Sequence, residues 1–409
     1  SRPLQVSFSQ VFEPRVRFIR FPQLGHDPRQ RSTPEPSDLR RLVAAGAQAA
    51  SLLAALGFLF APSHVYADEL AGALYVRTDS DQTTVISPRV RGGKQLGESS
   101  RIDVTYAADI WTSASIDIRA SASVRPVTEQ RDELDLSFSQ DFQDVHLRGA
   151  YRFSTEHDYT SHGVTLGGGV DLAGNASTLD VNLHVIGDTV GQSGNPSFKR
   201  SLTTLDGSVS FTQVIDPLMF AQLTYELAHN IGYQSSPYRY VGLGGTGFGC
   251  VGASYCLPER VPSQRTRHAL ALLLRRALSD AVSLGLTYRY YFDDWSLGSH
   301  TILGEVGFNL AEHTLLALRY RFYVQNAVGF YKPIYTSLVV DELRTRDREL
   351  SKLSYHRAGA ELEHDFPVGS TSKLAGTLAV SGNLYQYADF VGLDRIVALE
   401  ISAGLMLQL

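Results

Sequence analysis

Ionisable side chains recur at every second position along many segments of this chain. Arg148 and Arg152 alternate with Leu147, Gly149, Tyr151 and Phe153, while Arg319 and Arg321 alternate with Leu318, Tyr320 and Phe322. In an extended strand a spacing of two puts side chains on one face, so such residues would share a surface opposite an apolar one. The same alternation assigns Asp103, Asp109, Glu133, Asp135, Glu226, Glu305, Glu361 and Glu400 to the polar face. Arg89, Arg91, Arg267, Arg275, Arg289 and Arg357 fall there too. Both signs of charge on one face have two readings. They could select a passing solute by opposed charge, or simply pair across strands to line a polar interior.

Three further groups have the residue types for chemistry. Glu156, His157, Asp158 and His162 form one acidic–histidine cluster, and Asp293, Asp294 and His300 another. Carboxylates with imidazole suit a divalent cation, provided the two clusters converge; otherwise they read as solvated loop residues or partners of loop arginines. Cys250 and Cys256 are the only cysteines, and six residues apart they suit a disulfide closing a small loop in an oxidising compartment. Neither Gly-x-Ser-x-Gly nor His-Glu-x-x-His occurs in 68–409, so no nucleophile or metal motif argues for an enzyme, and no cofactor is called for. A net charge of -5 with a pI near 6.2 lacks the basic face that a nucleic-acid partner requires.

The elements that must position these residues are strands. Beyond residue 67 no apolar run reaches the ~18 residues of a membrane helix. Instead, segments of 10–14 residues alternate from residue 70 to the end. In Ala281 to Phe292, Val282, Leu284, Leu286, Tyr288, Tyr290 and Phe292 oppose Ser283, Gly285, Thr287, Arg289 and Tyr291. About 16 such segments are centred near residues 75, 88, 106, 134, 149, 166, 182, 207, 223, 271, 287, 305, 319, 358, 378 and 403. The connections 95–100, 174–176, 215–217, 279–280 and 310–312 are short, whereas 112–129, 190–201, 230–264, 326–351 and 386–395 are long. Short turns at one end and long loops at the other predict an all-β fold: a transmembrane antiparallel up-and-down barrel in the outer membrane of a Gram-negative bacterium. About 16 strands leave room for an aqueous lumen unless loops or side chains fill it. Tyr75, Trp111, Tyr225, Tyr288 and Tyr385 lie toward strand ends and read as membrane-interface anchors. The charged run Asp341 to Glu349 reads as a solvated loop rather than a plug.

Ahead of the strands, Arg40 and Arg41 precede an apolar stretch from Leu42 to Phe60, then Pro62, Ser63 and Val65-Tyr66-Ala67. This is the pattern of a signal peptide, 40–67, cleaved after Ala67. Residues 1–39, rich in Arg and Pro, read as a disordered extension, and 68–409 as the barrel. At the other end Ser402, Gly404, Leu407 and Leu409 match the terminal-strand signal read by the barrel-assembly machinery, so Ser402–Leu409 is the expected contact with that partner.

Several segments go beyond generic barrel character. Ser236-Pro237-Tyr238-Arg239, Arg265-Thr266-Arg267-His268-Ala269-Leu270, and Tyr290-Tyr291-Phe292-Asp293-Asp294-Trp295 with Ser299-His300-Thr301 form an ordered set. With Ser154 to Tyr159 and Ser161-His162, they resemble a proteobacterial outer-membrane barrel family catalogued as a domain of unknown function, DUF3570. The resemblance covers essentially all of 68–409 and implies the fold and the outer membrane. It brings no catalytic or binding residues. It hints at periplasmic redox or flavin physiology, and so at a periplasmic partner. The leading expectation is a pore for a small solute or ion, and the alternative a non-conducting barrel that acts as a scaffold or binds a partner.

Overall fold

The computed structural model of the chain describes residues 68–113, 127–243, 250, 252–337, 339–368 and 372–409. The expected extension and signal peptide, 1–67, lie outside the described residues. The first nine strands are β1 (Glu69–Asp79), β2 (Thr83–Gln95), β3 (Ser100–Ser113), β4 (Val127–Phe142), β5 (Val145–Thr155), β6 (Tyr159–Leu172), β7 (Ser177–Val190), β8 (Arg200–Asp216) and β9 (Met219–Gly232). A two-stranded ribbon follows, β10 (Tyr240–Leu243) and β11 (Tyr255–Pro258). The wall then resumes with β12 (Gln264–Ala277), β13 (Val282–Asp293), β14 (Gly298–Ala311), β15 (Thr314–Gln325), β16 (Leu353–Val368), β17 (Ser372–Tyr387) and β18 (Arg395–Gln408).

All but β10 and β11 form one closed barrel of 16 antiparallel strands, each paired with its neighbours in sequence. The seam joins β1 to β18 from Glu69 opposite Gln408 to Asp79 opposite Ala398, so the sheet has no free edge. Each segment expected from the alternation is one wall strand, centred within a few residues of its expected position. Strand lengths run from 11 to 17 residues, enough to cross a bilayer and project beyond it.

The distribution of apolar surface is inverted relative to a soluble fold. Leu166, Leu183 and Leu405 are 63%, 58% and 58% exposed, and alternate residues on nearly every strand add Leu, Val, Phe and Tyr to the same outer surface. An apolar surface this extensive on a closed barrel is a lipid-facing belt. No helix among the described residues is long and apolar enough to cross a membrane; the strands supply the crossing.

The two ends of the barrel differ. At one end the turns are brief: 96–99, 143–144, 173–176, 217–218, 278–281 and 312–313. At the other end lie 191–199, 233–263, 326–352 and 388–394, with the tighter turns 80–82, 156–158 and 294–297. The barrel's buried apolar cluster sits at this looped mouth, where Trp295, Leu297, Val328, Tyr331, Leu353, Tyr387, Phe390 and Ile396 pack together.

Candidate functional site

Alternate residues of each wall strand point into the barrel, and charged side chains are among them. Where strands pair directly, opposed residues share a face, so the exposed leucines and tyrosines fix which alternate set points inward. Arg148, Arg152, Arg267, Arg275, Arg289, Arg319, Arg357, Asp103, Asp135, Glu226, Glu305 and Glu361 all fall in the inward set.

These side chains are joined in ladders that run along the wall. Arg275 on β12 reaches Glu305 on β14 at 2.9 Å, Glu305 meets Arg319 on β15 at 2.6 Å, and Arg319 meets Glu361 on β16 at 3.0 Å. The first link must step over β13, and the residue it passes is Gly285. A Cβ there would sit 3.4 Å from Glu305 Cβ and 3.8 Å from Arg275 Cγ, so a larger side chain would crowd the crossing. Arg289 on β13 similarly passes β12, at Ala271 and Ala269, to reach Glu226 on β9 at 2.6 Å. Arg357 reaches Glu400 across β17 at 3.1 Å, with Ser381 bonded to both. Arg91 and Arg101 clasp Asp103 at 3.0 and 2.9 Å, and Arg131 pairs with Asp109. Arg148 donates to Asn182 at 3.1 Å, Arg267 to Asn230 at 2.6 Å, and Asp135 stands directly opposite Arg152. Inward acids of β6 to β9 (Asp171, Asp180, Asp188, Asp206 and Glu226) share their wall section with His184, opposite Asp206, and with Arg200 at the end of β8, beside arginine-rich β12 and β13.

Over the mouth the loops are tied to one another. Glu259, 6% exposed, accepts from Ser236 N at 2.6 Å, Arg239 Nη1 at 3.1 Å and Thr345 Oγ1 at 2.5 Å, joining the loops 233–263 and 326–352. Arg239 also donates to Asp347 at 2.9 Å. Tyr238 donates to Asp158 in the β5–β6 turn and accepts from Ser193 N at 2.6 Å, and Arg348 meets Asp81 of the β1–β2 turn at 2.6 Å. The run 341–349 is therefore not the solvated loop expected of its charges. Asp341, Glu342 and Leu343 are exposed, but Arg344, Thr345 and Arg346 are 3%, 0% and 8% exposed. Arg344 satisfies its guanidinium on the backbone oxygens of Pro258, Val339, Val340 and Glu342, at 2.8 to 3.1 Å. Charge in a sequence window says nothing about such main-chain acceptors. The disulfide Cys250–Cys256, Cα atoms 5.7 Å apart, closes the ribbon of β10 and β11 within this cap.

The structure does not bring the two acidic–histidine clusters together. His162 and His300 point outward among apolar side chains, where Tyr151 and Tyr288 hydroxyls meet their Nδ1 atoms at 2.8 Å. Asp158 is taken by Tyr238, and His157 is exposed. Asp293 is buried, accepting from Arg265 Nε at 2.8 Å, Trp295 N at 3.0 Å and Leu297 N at 2.9 Å, while Asp294 accepts from Thr266 N at 2.9 Å. No group of three potential metal ligands stands together among the described residues.

Two arrangements escaped the sequence reading. The outward Tyr–His contact occurs four times, with Tyr225–His268 and Tyr320–His356 completing the set at 2.8 Å each. In each, the tyrosine lies diagonally across from the histidine on the next wall strand, a relation that only register reveals. Tyr225 and Tyr288 are thus outward as expected, but Tyr75 and Tyr385 face the lumen, because their neighbours Leu74 and Leu384 take the outer positions. The second arrangement is an inward row, Tyr323, Tyr355 and Tyr385, directly opposed on β15, β16 and β17 and packed against the underside of the apolar cluster.

The motifs shared with the resembled family are neighbours in space. Arg265 and Thr266 bond to Asp293 and Asp294, His268 stacks on Phe292 at 4.8 Å, and Ser236 to Arg239 form the tie between loops. They build the outer ends of β12 to β14 and the cap above. Among solved structures, the chain is similar to one titled a bacterial polysaccharide outer membrane secretin, at 8% identity and a TM-score of 0.46, covering 85% of this chain and 99% of that one. It is similar to the outer membrane protein OprD from Pseudomonas aeruginosa at 9% identity, TM-score 0.42, with 84% and 94% covered. It is also similar to the CymD monoaromatic hydrocarbon channel at 9% identity, TM-score 0.38, with 85% and 88% covered. No curated protein matches the chain. The family model described as "Protein of unknown function (DUF3570)" matches residues 191–388, which hold the motifs from Ser236 to Thr301.

Proposed function

We propose that this protein is an outer-membrane pore that passes a small solute or ion through a charge-lined lumen. The observation that carries this reading is the direction of the ion pairs. Among the described residues each lumen pair lies within one wall strand or joins strands that are adjacent or next but one, such as Arg319 with Glu305 and Glu361, or Arg357 with Glu400. Charges paired along the wall are neutralised without bridging the axis, and a barrel of about 16 strands is wide enough to keep that axis wet. The acid-rich section of β6 to β9 adjoins arginine-rich β12 and β13, so acidic and basic sectors stand side by side on the lumen wall, a field that a passing charged solute would meet.

The cap supports a second reading. A buried apolar cluster and an interlocked pair of loops over the mouth suit a non-conducting barrel that presents a fixed surface to a partner. Planar-bilayer recording from the purified protein separates the two. Stable unit steps with a reproducible reversal potential support the pore; silence from protein whose sheet content is intact by circular dichroism refutes it and leaves the partner-binding barrel.

A further inference from the structure

Among the described residues three inward arginines, Arg89, Arg152 and Arg321, stand outside the ladders, and of these only Arg321 has a buried Nε without a partner. Arg321 on β15 stands directly opposite Arg357 on β16, two like charges in register, an arrangement that destabilises a sheet. Arg357 is compensated: its Nη2 lies 3.1 Å from Glu400 and its Nε donates to Ser381 at 3.1 Å. Arg321 makes no ion pair or hydrogen bond among the described residues, and its buried Nε lacks any acceptor. Nearby carboxylates are already engaged. Glu400 serves Arg357 and lies 4.0 Å from Arg77, Glu305 and Glu361 on the flanking strands hold Arg319, and Glu349 of the cap lies 3.5 Å from Arg348.

One register step toward the mouth stands the tyrosine row. Tyr355 and Tyr385 have ring centroids 4.6 Å apart, and Tyr323 is directly opposed to Tyr355. Two of the hydroxyls are bonded sideways along the wall, Tyr323 to Gln325 at 2.5 Å and Tyr355 to Asn383 at 2.6 Å. The three rings lie between Arg321 and the apolar cluster of the cap, against which they pack. A guanidinium without an acceptor takes a carboxylate in a two-pronged contact, and aromatic rings beside it favour a flat apolar body.

We propose that Arg321, with Arg357 beside it and Tyr323 and Tyr355 above, binds a small organic anion: a carboxylate on a flat, unsaturated frame. This rests on the pore reading and names the class of solute that the lumen takes. An anion there would give Arg321 its missing acceptor and relieve the repulsion from Arg357. The tyrosines would cover its apolar part beneath the cap.

The experiment uses the full-length protein in planar bilayers, with benzoate as the probe and acetate as the comparison. Benzoate is expected to reduce the chloride current saturably, and acetate to do so much more weakly. Arg321→Gln is expected to weaken the benzoate effect by about tenfold, equivalent to ~1.4 kcal/mol. Arg321→Lys should recover part of it, and Lys199→Gln on an exposed loop should leave it unchanged. A conducting protein with no saturable benzoate effect, or one in which Arg321→Gln behaves as the parent, overturns the site. An equal effect of acetate overturns the assigned role of the rings. If folded protein conducts nothing, the pore reading has failed, and equilibrium dialysis of benzoate against the detergent-solubilised protein decides the site by itself. Binding that is lost in Arg321→Gln supports it, and binding to neither overturns it.

Discussion

Glu156 should make the cap sensitive to pH between 4.5 and about 7, the range set by its shifted ionisation. It lies in the β5–β6 turn, where burial, followed by the charges of Asp158, Glu129 and Asp109, pushes its carboxyl from 4.5 up to about 7, against the opposing pull of Arg131. The folded form therefore keeps a proton that an opened, solvated turn releases. Stability from this group is fully present below 4.5, declines as pH rises through the interval, and is gone above about 7. Two and a half decades at ~1.36 kcal/mol each amount to about 3 kcal/mol. The loss falls on a turn that holds the cap in place, since Asp158 anchors Tyr238 and its carbonyl accepts from Gly191 N at 2.6 Å. Hydrogen exchange followed by mass spectrometry should show peptides covering 156–162 and 233–240 exchanging faster at pH 8 than at pH 5, after correction for intrinsic rates. In Glu156→Gln, which cannot ionise, that difference should largely vanish. If the variant retained the parent's pH dependence, or if protection rose with pH, the account of this turn would be refuted.

Other expectations follow from the wall and the loops. Arg319→Met leaves Glu361 without its partner while Arg275 still holds Glu305, so the reversal potential should move toward cation selectivity; an unchanged value counts against an electrostatic role for the ladder. Leu286→Arg, on the lipid face, should lower stability toward urea by ~2–4 kcal/mol, whereas Thr287→Arg on the lumen side should cost much less. Reducing Cys250–Cys256 should release a constraint of about 2 kcal/mol on its short loop. The expected result is faster proteolytic nicking within 244–256, with no change in the unfolding midpoint of the barrel.

The wall was legible in the sequence because lipid and water impose opposite demands on successive residues. In β13 the alternation from Val282 to Phe292 specifies the strand, its length and its lumen face at once. The mouth was not legible, since loop packing depends on partners far away in sequence. Arg344 is buried because carbonyls of two loops meet around it, and the charged run 341–349 gives no sign of that. Tyr385 was misjudged for a simpler reason. Its closeness to a strand end suggested a membrane anchor, but its parity in the strand assigns it to the lumen. Arg321 was visible as an inward residue, yet its lack of a carboxylate became apparent only once Arg357 and Glu400 were seen to pair without it.

Because each basic residue of the ladders finds its acid no more than two strands away, the lumen's charges cancel in the order in which hairpins join the sheet. Glu305 is met by Arg319 as soon as β14 and β15 zip together, and Glu361 is met when β16 arrives. The contact between Arg77 and Glu400 is different, because it spans the seam between the first and last strands. It forms only when the cylinder shuts. The ladders thus match their charges as the sheet grows, and an acid near the final strand's midpoint gains its second cation at the moment of closure.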